Sequence, residues 1–189
     1  MALSEHIELK TGFVRRSPAN PNSFVSTLLQ TLAQAAKSGC LYVPMFAGVF
    51  ALLVPVHTIL LEQTFGLRIA TATLVFLIGG LAGGAVAWLV AALFARGRQW
   101  SARFCIAMIA NTFLVPLATA FVFFLQYRGY YSHWHAPAFS NVWFWQMGFT
   151  GATAIYLFIV SAVKYIFPLG FFLLVGVSAI FTRWSSRLS

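Results

Sequence analysis

The residues best suited to chemistry lie in the stretch YRGYYSHWHAPAFS, from Tyr127 to Ser140, where Trp134 separates His133 from His135. Imidazole is the commonest metal-ligating side chain. In an extended segment both rings can point to one side, whereas on a helix they diverge by about 200°. A zinc site takes four protein ligands, or three and a water, so this pair alone does not complete one. A metal reading therefore requires His57 to converge with His133 and His135, with Glu62 close by. The competing reading is an aromatic belt. Tyr127, Tyr130, Tyr131, Trp134, Trp143 and Trp145 suit the headgroup level of a bilayer, where Arg128 can meet phosphate. The belt is the preferred reading, so lipid contact is expected and no metal, chromophore or other cofactor is.

Lys164 is the next group of interest, because it interrupts a long apolar run. A lysine within a span is costly and by default functional, yet its stem also lets the ammonium snorkel to an interface. The expectation here is an orienting or structural charge, with ion coupling, anion binding or pairing with Glu62 as the functional alternative. Asn111 reads as interhelical glue. Catalytic sets are missing. The chain has no Asp and only Glu5, Glu8 and Glu62 as acids, which disfavours paired-carboxylate hydrolysis and a carboxylate-rich magnesium site. No serine lies in a G-x-S-x-G elbow, and no phosphate loop, dinucleotide fingerprint or HExxH occurs. Cys40 and Cys105 lack metal-ligand spacing and read as thiols in a reducing compartment.

The elements that must carry these residues are apolar helices. Of 189 residues, 60% are hydrophobic and 8% charged, against about 25% charged in soluble domains. The expected fold is an all-α integral membrane protein with four transmembrane helices, five being the alternative. The spans are read as about 39–61, 69–94, 104–125 and 147–182. An N-terminal region, 1–38, carries an amphipathic helix over 24–37, and 183–189 form a tail. Phe24, Val25, Leu28, Leu29, Leu32 and Ala36 share one face of that helix, while Thr27, Gln30, Thr31 and Gln34 take the other. It either lies along the interface or runs straight on into the first span. The final stretch would measure about 54 Å as one straight helix, against a hydrocarbon core of about 30 Å, so it is read as tilted or broken near Pro168.

Packing and orientation signals are clearer. Gly79 and Gly83, and Gly80 and Gly84, recur at four-residue spacing in LIGGLAGGAVAWL, which lets another backbone approach closely. Arg96, Arg98 and Arg103 cluster in one connection and mark it as cytoplasmic, with headgroup contact expected. Four crossings then put both termini in the cytoplasm, and the first span serves as an uncleaved insertion signal. A bacterial cytoplasmic membrane is favoured over an organellar one. The charge of +9 is too dispersed for nucleic acid.

The leading functional expectation is a structural or accessory subunit of a larger membrane complex, with other membrane subunits or self-association as partners. The second is a secondary transporter or channel-like protein working as an oligomer, resting on His57, Asn111, Lys164 and the prolines within spans. A metal- or cofactor-binding membrane enzyme comes third.

Overall fold

The computed structural model describes residues 21–62, 67–167 and 169–185, and the side chains of 25–60, 69–167 and 169–185. Glu5, Glu8, the Glu62 side chain and Arg187 lie outside what is described. The described residues are helical, with no strand among them. Helix α1 covers Pro21–His57 and closes in a wider π turn, Thr58–Glu62. Helix α2 covers Leu67–Phe94, and α3 covers Trp100–Tyr131 before a short 3-10 turn, Ser132–Trp134. Helix α4 covers Asn141–Ile166, and α5 covers Leu169–Ser185. Four helices are long and apolar enough to cross a membrane; α5, at 17 residues, is shorter.

Two alternatives that the sequence leaves open are resolved in the fold. The proposed amphipathic helix 24–37 is not separate from the first span, because α1 runs without interruption through Ser38 and Gly39. Its small residues there meet α2, with Ala35 fully buried and Gly39 facing the Trp88 indole, so packing continues where the sequence suggested a boundary. The run 147–182 is two helices, and the first begins at Asn141. Ser140 caps it by accepting a hydrogen bond from the Trp143 N–H at 3.2 Å. It ends at Phe167, whose extended backbone (φ −99°, ψ 135°) is what the residue before a proline adopts. Pro44, Pro55 and Pro116 do not break their helices.

Helix α2 is the centre of the bundle: α1 and α3 pack on two adjacent faces of it, and its remaining face, with Leu74, Ile78, Leu81 and Val86, is exposed and apolar. Gly79 and Gly83 face α3, where an added Cβ on Gly83 would stand 2.6 Å from Val115 Cα and 2.8 Å from the Leu114 carbonyl oxygen. Gly80 and Gly84 face α1, against Ala47 with Phe50 and Val43 with Phe46 respectively. The double glycine pair therefore seams three helices of one chain. Around it lie two clusters: Phe46, Phe50, Val54, Phe76, Val115 and Phe158 in one, and Val43, Trp88, Ala91, Ala107 and Phe181 in the other.

Helix α5 lies against α3 and α1 and returns toward the start of α1. Its first turn is near Leu53, and Trp184 in its last turn packs on Trp88 beside Ser38. The start of α1, the α2–α3 turn and the end of α5 therefore share one end of the bundle. The α3–α4 connection occupies the opposite end. Helix α4 is the least covered of the four long helices, burying only Ala154, Phe158 and Ala162.

Candidate functional site at the arginine end of the bundle

The turn ARGRQW between α2 and α3 needs a left-handed residue, and Gly97 supplies it at φ 64°. This fold-back places three arginines in three different settings. Arg98 is exposed. Arg96 reaches across to α1, where its guanidinium donates to the Thr27 carbonyl oxygen at 3.1 Å. Arg103, in the first turn of α3, is 92% buried (8% exposed), and its Nε donates to the Arg98 carbonyl oxygen at 2.7 Å. That bond fixes the plane of the guanidinium.

Between them opens a cavity of about 330 Å³. One wall is the polar face of α1: Thr27, Gln30, Thr31 and Gln34. The others are Arg96, Gly97 and Arg103 from the turn, and Trp184 with Ser185 from α5. Sequence reasoning had both halves of this cavity, the polar stripe and the arginine turn, but not their contact. A stripe of uncharged polar residues on a helix beside an arginine-rich connection was the available signal. Glu62, the one acidic residue of the described segments, ends α1's π turn, away from this cavity.

At the other end, Arg128 sits 5.9 Å from the centre of the Trp143 ring. Tyr127, Tyr130 and Tyr131 cluster there with Trp134. A cleft of about 870 Å³ runs between α2, α3 and α4, lined by Tyr127, Tyr130, Tyr131 and Tyr165 together with Phe76 and Phe158. The histidines do not converge. His135 Nε2 lies 3.3 Å from the Thr150 hydroxyl, His133 rests edge-on to Trp134, and His57 packs edge-on to Tyr165 with its Nδ1 buried and unbonded. Among the described residues no three His, Cys, Asp or Glu side chains are grouped to hold a metal ion. The 3-10 turn keeps His133 and His135 off the shared face that an extended segment would give them, because it is compact where a shared face requires extension.

The other polar residues of the helices bond mostly within their own helix. Asn111, expected to link helices, donates from Nδ2 to the Ala107 carbonyl oxygen at 2.8 Å. Thr58, Thr119 and Thr182 each donate to the carbonyl four residues before. Lys164 is exposed in the last turn of α4, where a cation complements the helix dipole, and its ammonium lies 4.9 Å from the Tyr165 ring centre. Cys40 and Cys105 are exposed free thiols. No family model, curated protein or solved structure matches the chain.

Proposed function

We propose that the protein is an accessory subunit of a larger membrane complex, held in a bacterial cytoplasmic membrane with both termini cytoplasmic, and that it docks its partner through α4. The observation that carries this reading is the uncovered side of α4. It exposes Gly148 and Ala152 one turn apart, with nothing within 4 Å of the Gly148 Cβ position, together with Thr153 and Lys164, among large apolar side chains such as Phe149, Tyr156 and Val163. Small and polar residues are what membrane helices present to other helices rather than to lipid. Helix α3 exposes the stripe Ile109, Phe113, Leu117, Phe121 and Leu125, which is apolar and suited to acyl chains.

The glycine pairs of α2 are already occupied by α1 and α3 of the same chain. Transport is less well supported. Asn111, Thr58, Thr119 and Thr182 donate to carbonyls of their own helices and not toward a common path, and α2 is closely packed on two sides. The test is gentle extraction from native membranes followed by identification of co-purifying proteins. A stoichiometric partner, released by Gly148→Leu, is the expected result. A protein that migrates alone, equally stable with and without that substitution, would remove the basis for the proposal.

A further inference from the structure

We propose that the groove between α2 and α3, next to the arginine turn, seats an acyl chain of an anionic phospholipid, with Arg98 at its mouth holding the headgroup phosphate. The inference rests on the membrane placement proposed above and not on the docking role of α4.

The three arginines of the turn have separate tasks. Arg96 donates to the Thr27 carbonyl oxygen, and Arg103 is buried with its Nε on the Arg98 carbonyl oxygen. The Arg98 guanidinium is exposed and has no hydrogen-bond or ion-pair partner among the described residues. It lines a groove of about 550 Å³, with Val90 and Phe94 from α2 and Ala102, Cys105 and Ile109 from α3. Apart from Arg98 and the Cys105 thiol, the described lining is apolar.

This combination selects the occupant. From Ala102 to Ile109 the α3 wall runs about 10 Å at 1.5 Å per residue, within the depth of one leaflet of about 15 Å. An occupant that uses the whole groove is apolar along that length and anionic at the end beside Arg98. A soluble phosphate leaves the apolar wall unused, and a hydrocarbon without a charged head leaves the guanidinium unanswered. A phospholipid satisfies both, because the guanidinium fork matches two phosphate oxygens. Trp100, exposed and stacked on Phe104, is of the type that collects at headgroup level. Charge then favours an anionic lipid over a zwitterionic one. Arg96, Arg98 and Arg103 share the turn region, and no acidic side chain is among the described ones. Basic pockets between membrane helices hold anionic headgroups for this reason.

The test uses the full chain in nanodiscs of phosphatidylcholine with a minority of phosphatidylglycerol. A photoreactive residue replaces either Cys105, in the groove, or Phe113, exposed on α3 outside it, and the adducts are identified by mass. At position 105 phosphatidylglycerol should exceed its share of the bilayer about fivefold, the gain expected of one arginine acting on an anionic lipid. At position 113 it should match that share. Arg98→Gln, and Ala102→Phe, which fills the groove, should each return position 105 to the bulk share, while Arg128→Gln at the opposite end changes nothing.

Bulk-share adducts at position 105 of the parent chain overturn the proposal. So does enrichment that survives Arg98→Gln, or that is equal at position 113. An adduct from position 105 to residues 1–20 of the chain itself, in place of lipid, overturns it as well. No partner protein is present in these nanodiscs, so the outcome is independent of whether α4 docks one.

Discussion

Replacing Gly83 by alanine is the sharpest probe of how this bundle is held together. The added Cβ would stand 2.6 Å from Val115 Cα, 2.8 Å from the Leu114 carbonyl oxygen and 3.0 Å from Ala118 Cβ. The first two are backbone atoms and cannot rotate away. Carbon atoms rest at about 3.5–4.0 Å, so α2 and α3 must part by about 1 Å, and a gap of that size forfeits a quarter to a half of each contact's attraction. Overpacking of this kind costs about 1–3 kcal/mol. Gly79→Ala should behave alike, because its Cβ overlaps the Thr119 hydroxyl and stands 2.5 Å from Thr119 Cα. Gly80→Ala should cost less, since Phe50, a side chain, is its nearest neighbour at 3.0 Å, and Gly84→Ala less again. Gly48→Ala, with nothing within 4 Å, should be neutral or stabilising. The assay is reversible unfolding in mixed micelles, one variant at a time. Equal stability of Gly83→Ala and Gly48→Ala would refute the close-contact argument. So would a loss on the α1 side larger than on the α3 side.

Further substitutions test other parts of the packing. Ser178 is fully buried and its hydroxyl has no hydrogen-bond partner, so Ser178→Ala should raise stability by about 1 kcal/mol in the same unfolding assay; a loss would show an unrecognised role for the hydroxyl. Trp88 joins α1, α2 and α5 through Tyr42, Phe181 and Trp184, and Trp88→Ala should cost about 3–5 kcal/mol, with a cost under about 1 kcal/mol contradicting its place in the core. His135→Ala should leave the metal content of the purified protein, measured by elemental analysis, unchanged, because its ring faces Thr150 and not other ligands. Binding of a metal that depends on His135 would reopen the clamp reading.

Much of the helical architecture was legible from apolar length. The second span, read as 69–94, falls inside α2, Leu67–Phe94. The glycines were recognised as a packing face for a physical reason that holds generally, but their spacing does not say whose backbone approaches. Here the first residue of each pair of neighbours faces α3 and the next faces α1, so both sides are filled within the chain. Helix continuity was harder to read. Ser38 and Gly39 resemble a boundary locally, yet both meet Trp88, far away in sequence, and the helix is continuous there. Prolines were equally ambiguous: Pro44, Pro55 and Pro116 sit inside helices, while a helix ends at Phe167 just before Pro168. The arginine cavity was invisible because its walls come from three separate segments. Asn111 illustrates the limit for side chains. Its type permits an interhelical bond, yet its amide donates to a carbonyl one turn back.

The claim that α4 is a docking helix is tested most directly by site-specific photo-crosslinking in native membranes. Tyr156 on α4 and Leu117 on α3 are equally uncovered, at 66% each, so exposure alone does not separate them. A photoreactive residue at 156 should yield a discrete protein adduct, and one at 117 should yield lipid adducts only. The same lipid-only pattern at both positions, or a protein adduct confined to position 117, would contradict the account.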